Sequence, residues 1–289
     1  MSEIVYLNGE FFPLAEAKVS VLDRGFVFGD GVYEVIPVYS RRAFRLDEHL
    51  QRLQKSLNSV RIDNPHDAST WTEIVNTIIA RNETDDQYLY LHVTRGVAKR
   101  DHAFPNPPVT PTVFVMSYPL STPLPTLLQK GVSAITAVDN RWLRCDIKAI
   151  SLLPNVLLRQ AAADAGCAET IMIRDNEFMT EGAASNIFVV KNGTLLAPPK
   201  NNLMLPGITY DVVLELAEAH GIPHQIRKIL KEELLTADEL LMTSSTKEVL
   251  PITLLDGQPV GNGRPGPMFE KLHQLYQTFK RDVMRQHTA

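Results

Sequence analysis

The sequence predicts a two-domain protein of the α+β or α/β class, in which strands and helices are mixed. Its 289 residues suggest two domains, at a prior of about 150 residues each. Segments with the period-2 pattern of strands alternate with segments that have the 3-4 spacing of helices. The proline-bearing stretch 120–125 separates two such regions. We therefore predict a smaller N-terminal α/β domain over 1–119, a linker over 120–125 and a larger C-terminal domain over 126–289.

Composition and charge exclude several classes of protein. With 44% hydrophobic and 21% charged residues, the chain resembles an ordinary soluble protein. It has neither a long apolar run nor a signal-peptide pattern, so we expect a cytoplasmic protein with no membrane partner. The net charge of −4 argues against nucleic-acid binding. Its two cysteines and eight histidines lack metal-ligand spacing, so no metal is expected.

The N-terminal region begins with a predicted hairpin, because Asn8-Gly9 suits the positive φ angles of a type I′ turn. A glycine-rich stretch over 22–31 leads into a strand predicted over 32–39. It lacks the third glycine and the preceding strand of a dinucleotide fingerprint. Tyr33 lies on this strand, where it either packs or contributes to a site.

Two helices follow in the predicted N-terminal domain. Asp47 is a candidate N-cap for the first, whose apolar stripe comprises Leu50, Leu53, Leu57 and Val60. Arg52 lies beside that stripe, so its head either reaches inward or is solvated. For the second helix, Thr70 and Glu73 have the spacing of a capping box.

A loop after the next strand carries Arg100 and His102. In an extended loop, residues two apart point to the same side, so these two side chains form a possible cationic clamp for a carboxylate. The alternative is that both are merely solvated, as charged loop residues often are.

The stretch 141–162 begins with five charged or thiol side chains within eight residues and continues as an apolar helical segment. Because Trp142, Leu143 and Ile147 are interleaved with these charges, we expect Lys148 to lie in partly dry surroundings. Desolvation favours a neutral amine, and a neutral amine is the form that attacks carbonyl groups. The alternative is a salt-bridged seam from which Lys148 extends into solvent.

Three further segments supply an acid and anion-binding donors. Glu181 is followed by small or polar residues that would allow a planar ring to approach the backbone; the alternative is a tight turn. Ile208 and Thr209 begin a helix whose free amides favour an anion. Hydroxyl groups cluster at the end of a later strand, at Thr243, Ser244, Ser245 and Thr246.

Taken together, a Schiff-base-type lysine, an acid and phosphate-binding donors are what pyridoxal phosphate requires. The chain resembles the fold-type IV pyridoxal-phosphate aminotransferases, the branched-chain and D-amino-acid class, and is most similar to its D-amino-acid aminotransferases. The resemblance is densest at 23–35, 141–153, 180–182 and 201–211. It implies that the protein is a homodimer that transfers the amino group of a D-amino acid, such as D-alanine, to a 2-oxo acid, such as 2-oxoglutarate, by a ping-pong mechanism.

The same resemblance assigns roles to residues of this sequence. Lys148 would hold the cofactor as a Schiff base and move protons, and Glu181 would pair with the pyridine nitrogen. Leu205 would lie against the ring. The phosphate would be bound by Arg52, Ile208, Thr209, Ser244 and Ser245. The substrate would be bound by Tyr33, Arg100, His102 and Thr246, with the loop that carries Arg100 and His102 reaching the partner subunit's active site.

The chain departs from the D-specific pattern at three positions. Ala183 and Ala184 stand where serines are familiar, and Pro37 replaces a long polar residue. These departures leave the range of accepted side chains open. The alternatives are a branched-chain L-amino-acid aminotransferase, an aminodeoxychorismate lyase on the same scaffold, or a non-enzymatic protein.

Overall fold

The computed structural model describes residues 3–285, which form two compact units. The first comprises the residues up to Ser121 together with Ile147–Leu152. The second comprises Thr122–Asp146 and the residues from Leu153 onward. The break between Ser121 and Thr122 falls within the predicted linker. Both units combine a sheet with helices, so the predicted mixed class is confirmed.

The first unit is built on a six-stranded sheet in the order β2-β1-β6-β5-β3-β4, with every neighbouring pair antiparallel. Its strands are β1 (Ile4–Leu7), β2 (Glu10–Pro13), β3 (Gly31–Tyr39), β4 (Arg42–Ala43), β5 (Gln87–Thr94) and β6 (Thr112–Pro119). The predicted hairpin between β1 and β2 is confirmed, since Asn8 and Gly9 have φ angles of +52° and +105°.

Three α-helices belong to this unit: α1 (Arg24–Phe28), α2 (Leu46–Val60) and α3 (Ala68–Arg81). The predicted caps of the two longer helices are wrong. Helix α2 starts one residue before Asp47, with Arg45 as its N-cap at φ +51°. Helix α3 is capped by Asp67, whose carboxylate accepts a hydrogen bond from Thr70 N at 2.8 Å. The cap therefore lies one turn before the predicted capping box.

The segment Ile147–Leu152, which carries Lys148, packs with the first unit. This differs from the expectation that the larger C-terminal domain over 126–289 carries the lysine. Two contacts explain the difference. Tyr33 N donates a hydrogen bond to Lys148 O at 2.9 Å, and Ile147 is buried in the hydrophobic core of the first unit. The lysine is thus fixed against the start of β3 by backbone pairing and by burial of its apolar neighbour.

The second unit has a mixed sheet in the order β12-β11-β10-β14-β15-β7-β8-β9-β13, and a short further strand pairs with β15. Three neighbouring pairs are parallel: β11 with β12, β15 with β7, and β7 with β8. The strands are β7 (Val132–Val138), β8 (Glu169–Arg174), β9 (Phe178–Gly182), β10 (Asn186–Lys191), β11 (Thr194–Ala197), β12 (His224–Ile226), β13 (Ile229–Leu230), β14 (Glu239–Ser244), β15 (Glu248–Leu255) and β16 (Gln258–Pro259).

Five α-helices complete the second unit: α4 (Pro125–Lys130), α5 (Leu153–Asp164), α6 (Ile208–Ala219), α7 (Lys231–Leu235) and α8 (Pro267–Phe279). A short π-helical turn, Lys280–Met284, continues α8. Apolar side chains of the sheet form the core, with Ile171, Ile187 and Leu240 almost fully buried. Over residues 3–285, no helix is both long and apolar enough to cross a membrane.

Candidate active site

In the first unit, Lys148 lies beside the aromatic ring of Tyr33. Its Nζ atom is 4.1 Å from the ring centroid, within the range of a cation–π contact. Lys148 N donates to Ser56 Oγ at 3.3 Å, which ties the segment to helix α2. Lys148 is half-buried and Ser56 is buried. The backbone N–H and C=O of Lys148 are therefore both hydrogen-bonded, while its side-chain amine lies near the face of an aromatic ring.

One turn earlier on α2, Arg52 points inward and forms a two-point ion pair with Glu34. Its Nε donates to Glu34 Oε1 at 2.8 Å and its Nη2 donates to Oε2 at 2.7 Å. The Glu34 side chain is fully buried and the Arg52 side chain is 9% exposed. Paired donors in this planar geometry fix both the position and the orientation of a guanidinium. Of the two possibilities for Arg52, the structure shows the inward one.

His49 completes this buried group. Its Nδ1 lies 2.8 Å from Glu34 Oε2, and a carboxylate can only accept, so Nδ1 carries the hydrogen. Burial lowers the pKa of His49, and the positive charges of Arg52 and Lys148 lower it further against the opposing effect of Glu34. Burial alone would raise the pKa of Glu34, but Arg52 and His49 outweigh it and hold that pKa below its usual range. The group therefore consists of an ionised carboxylate, a guanidinium and a neutral imidazole.

The loop between β5 and β6 exposes both Arg100 and His102. The two side chains share one neighbour, because the Arg100 guanidinium and the His102 ring each lie 5.3 Å from the ring of Phe28. Within the described range 3–285, neither side chain makes a hydrogen bond or an ion pair. The structure thus brings Arg100 and His102 together on one aromatic support but does not join them to Tyr33 or Lys148.

The base of this loop is anchored by Arg24, a residue that the sequence did not single out. Arg24 Nη1 donates to the backbone oxygen of Asp101 at 2.6 Å, and its Nε donates to Asp30 at 2.7 Å. Asp30 also accepts from Arg95 at 2.8 Å, and the Arg95 guanidinium lies 3.7 Å from the ring of Phe104. These ion pairs and hydrogen bonds fix the base of the loop, while the tip of the loop stays exposed.

In the second unit, Glu181 is buried and accepts hydrogen bonds at both oxygens. Arg141 Nη1 donates to Oε1 at 2.5 Å. Leu205 N and Asn186 Nδ2 donate to Oε2 at 3.1 and 3.3 Å. Arg141 is held in turn by Asp139, which accepts from its Nε and Nη2 at 2.9 Å each. This chain of contacts fixes the direction of the Glu181 carboxylate.

Burial raises the pKa of Glu181 to about 7, even though the charge and hydrogen bond of Arg141 act in the opposite direction. A raised carboxyl pKa means that the folded protein binds a proton that the unfolded chain releases. In the cofactor-free protein, the free energy of unfolding therefore falls as the pH rises from about 4.5 towards 7.

We expect Glu181→Gln to remove that contribution in the cofactor-free protein. Other groups titrate in the same interval, so the measurement is the difference in urea-unfolding free energy between wild type and variant at several pH values. The wild type should lose stability relative to the variant from pH 5 to 7, and the difference should level off above that. A difference that does not depend on pH would contradict the raised pKa of Glu181.

Two groups of donors lie elsewhere in the second unit. Ile208 and Thr209 form the buried first turn of α6, which follows Gly207. A Cβ on Gly207 would lie 2.2 Å from Asn186 Oδ1, so only glycine fits beside the asparagine that contacts Glu181. The second group is the turn after β14, where Ser244, Ser245 and Thr246 are half-buried.

The turn after β14 follows a buried hydroxyl group that lacks a partner. Thr243 Oγ1 has no hydrogen-bond partner within the part of the chain that is described. Buried polar atoms are normally paired. Thr243 Oγ1 therefore keeps an unused donor beside the three half-buried hydroxyl groups.

Sequence patterns did not identify Glu34, His49, Arg141 or Asp139 as members of these groups. Glu34 and Arg141 lie in stretches that were recognised, but as single charged residues they carry no signal of their own. Each of these charged residues meets its partner only because the fold aligns a strand with a helix or with a turn. A charged residue within an otherwise apolar strand, such as Glu34 in β3, is the available signal, because a buried charge needs a partner.

Comparison with known proteins agrees with the fold. The model of the amino-transferase class IV family matches residues 31–255. The chain belongs to this family of enzymes, which confirms the predicted resemblance and makes it a transaminase.

Individual relatives cover almost the whole chain. The D-alanine aminotransferase of Bacillus licheniformis is 42% identical over 273 residues, which are 94% of this chain and 95% of the relative. That of Staphylococcus epidermidis strain RP62A is 39% identical over 275 residues, covering 95% and 97%.

Solved structures agree. The branched-chain amino acid aminotransferase of Escherichia coli has a TM-score of 0.88 at 29% identity and covers 95% of this chain and 93% of its own. The branched-chain aminotransferase of the archaeon Thermoproteus uzoniensis, solved with norvaline, has a TM-score of 0.85 at 28% identity and covers 96% and 95%. A further branched-chain amino acid aminotransferase, from T.th., was solved with pyridoxamine 5'-phosphate; it has a TM-score of 0.88 at 27% identity and covers 96% and 93%.

Proposed function

We propose that the protein is a pyridoxal-phosphate-dependent D-amino-acid aminotransferase that moves the amino group of a D-amino acid such as D-alanine to a 2-oxo acid such as 2-oxoglutarate. The observation that carries this proposal is the exposed pair Arg100 and His102 on one aromatic support, together with Tyr33 beside Lys148. Relatives named D-alanine aminotransferase align over nearly the full chain at about 40% identity, which supports the same function.

The residues present fit the cofactor. Thr243 Oγ1 is buried without a partner in the described range, next to the Ser244 and Ser245 hydroxyls, as a phosphate site requires. We assign the phosphate to Ser244, Ser245, Ile208, Thr209 and Arg52. Backbone amides at the start of α6 and a guanidinium held by Glu34 suit a dianion.

When bound, pyridoxal phosphate supplies an electron sink that makes the α-proton of an attached amino acid acidic. Lys148 would hold the aldehyde carbon of the cofactor through its Nζ, and the same Nζ would accept and return the proton of the substrate. Glu181, oriented by Arg141, would keep a proton on the ring nitrogen. Leu205 would lie against the ring.

The substrate carboxylate is assigned to Tyr33, Arg100, His102 and Thr246. Because Arg100 and His102 have no charged partner in the described residues, a carboxylate would satisfy both.

We further propose a homodimer in which this loop completes the site of the partner subunit. The protein would act in the cytoplasm, where the two free thiols of Cys145 and Cys167 stay reduced.

Arg100→Ala should mainly weaken substrate binding. The loss of a charge-assisted contact costs about 1.5–3 kcal/mol, which corresponds to roughly a ten- to hundredfold higher KM for D-alanine. We expect kcat to change little. Lys99→Ala removes a neighbouring exposed charge and is the matched control. An unchanged KM in Arg100→Ala would remove this residue from the carboxylate site.

The proposed function is tested by following glutamate formation from 2-oxoglutarate, with D-alanine as the amino donor in one reaction and L-leucine as the amino donor in a parallel reaction. Turnover of D-alanine alone supports the proposal. Turnover of L-leucine alone would favour a branched-chain aminotransferase, the activity named for the structural neighbours. Pyruvate release from chorismate-derived substrates alone would favour a lyase.

A further inference from the structure

The turn that carries two of the proposed phosphate donors ends at a residue with a strained backbone. This turn joins β14 to β15, and residues 245–247 lie between the paired residues Ser244 and Glu248. Glu248 has a φ angle of +56°, in the left-handed region that a non-glycine residue enters at a cost in energy. A residue keeps such a conformation only where its surroundings determine it. The contacts of Glu248 therefore help to decide the shape of the turn.

The side chain of Glu248 is held by the end of the last helix. Lys280, at the start of the π-helical turn that continues α8, donates its ammonium group to Glu248 Oε1, and both side chains are buried. Gln277, in the last turn of α8, donates its Nε2 to Glu248 Oε2 at 2.7 Å. Moving Glu248 away would leave two opposite charges buried and separated, which is strongly unfavourable. The ion pair therefore keeps the end of the turn in one position.

A second carboxylate holds the opposite end of the same helix. Glu239, at the start of β14, is buried and accepts hydrogen bonds from Met268 N and Phe269 N at 2.8 Å each. Both donors belong to the first turn of α8, where backbone N–H groups have no partner within the helix. A Cβ on Gly266 would lie 2.3 Å from the carboxyl carbon of Glu239, so glycine at this N-cap makes room for the carboxylate.

Helix α8 therefore spans the β14–β15 hairpin from its open end to its turn. The helix has 13 residues, which at a rise of roughly 1.5 Å per residue is about 20 Å. Strand β14 has 6 residues, which at roughly 3.3 Å per residue is also about 20 Å. Because the lengths match, one helix reaches Glu239 at the open end of the hairpin and Glu248 at its turn. The last helix thus connects the base of the hairpin to the turn that carries the hydroxyl groups.

We propose that Glu248 and Lys280 are positioning residues for the cofactor phosphate, because their ion pair keeps Ser244 and Ser245 in the arrangement that binds it. This inference rests on the proposed function, which assigns the phosphate to these two serines. Lys247, the residue directly before Glu248, donates its backbone N–H to Ser244 Oγ at 3.2 Å. That contact fixes the oxygen and leaves the hydroxyl hydrogen free to be donated to an anion. A shift of Glu248 would therefore reach the Ser244 hydroxyl through one neighbouring residue.

The test measures the affinity of the cofactor-free protein for pyridoxal phosphate and, separately, for pyridoxal, which lacks the phosphate. The ratio of the two affinities reports the phosphate contacts, because the two ligands share the ring and the aldehyde. The first variant is Lys280→Met, which leaves the Glu248 carboxylate without its cation. The second combines Glu248→Gln with Lys280→Met, which removes both buried charges, so it should fold even where the first does not. Glu239→Gln is the matched control, since it weakens the hold on the same helix at the end away from the turn.

We expect the wild type to prefer pyridoxal phosphate, and both variants to lose about tenfold of that preference, as for one weakened hydrogen bond to a charged group. Pyridoxal affinity should not change. Glu239→Gln should lower the free energy of unfolding and keep the wild-type preference, which separates positioning from stability. An unchanged preference in the double variant would overturn the inference and leave the proposed function in place. Equal affinity of the wild type for the two ligands would contradict the phosphate assignment itself, and the inference would fall with it.

Discussion

Lys148→Ala should abolish turnover. Lys148 is the half-buried amine held 4.1 Å from the Tyr33 ring by backbone contacts to β3 and α2. Alanine keeps those backbone contacts but removes the amine that we propose to hold the aldehyde carbon and to move the proton. The lost proton transfer alone lowers kcat by roughly 10²- to 10⁴-fold. The loss of covalent attachment lowers it further.

The same variant should keep part of its cofactor. The proposed phosphate donors and Glu181 are untouched, so pyridoxal phosphate should stay bound after desalting, with an absorption spectrum shifted towards that of the free aldehyde. Lys130→Ala changes an exposed lysine at the end of α4 and should behave as wild type. Full activity in Lys148→Ala would contradict the assignment of the reactive amine.

Glu181→Gln should give the second-largest effect. The glutamine side chain has nearly the same shape, and its single oxygen can still accept a hydrogen bond from Arg141 or from Leu205 N, although not from both. A neutral amide, however, cannot hold a proton on the ring nitrogen by charge. Loss of such a preorganised electrostatic contact lowers kcat by about 10²- to 10³-fold. Steady-state kinetics with saturating D-alanine measures this change.

A matched control for this prediction is Glu177→Gln, which removes an exposed carboxylate four residues earlier. Its partner is Lys228, at 2.5 Å on the surface, so the substitution should have little effect on activity. If Glu181→Gln keeps the wild-type kcat while the cofactor remains bound, Glu181 does not act on the ring nitrogen.

The sequence predicted local structure best where a turn or a strand is determined by a few neighbouring residues. Asn8-Gly9 predicted its hairpin because the φ requirement of the turn is local. The cap of α3 was misplaced because Asp67 and Thr70 are both good N-caps, and only the folded path of the chain selects between them. Helix α2 begins at an arginine with positive φ, which no capping preference predicts.

For the candidate site, residue chemistry identified individual side chains but not their supports. Lys148 and Glu181 stood out because a lysine among apolar residues and an acid before small residues suit one cofactor. The ion pair of Glu34 with Arg52 joins a strand to a helix 18 residues away. The anchoring of the loop at Asp101 by Arg24 spans 77 residues. Such pairings depend on tertiary register, which no short pattern encodes.

The visible absorption spectrum of the purified protein, before and after excess D-alanine with L-leucine as a parallel sample, tests the central claim most directly. We predict a cofactor band in the resting protein that is lost on addition of D-alanine and kept with L-leucine. Bleaching by L-leucine alone would contradict the D-specific assignment and leave Arg100 and His102 without their proposed role. The absence of any band after incubation with pyridoxal phosphate would contradict the cofactor itself.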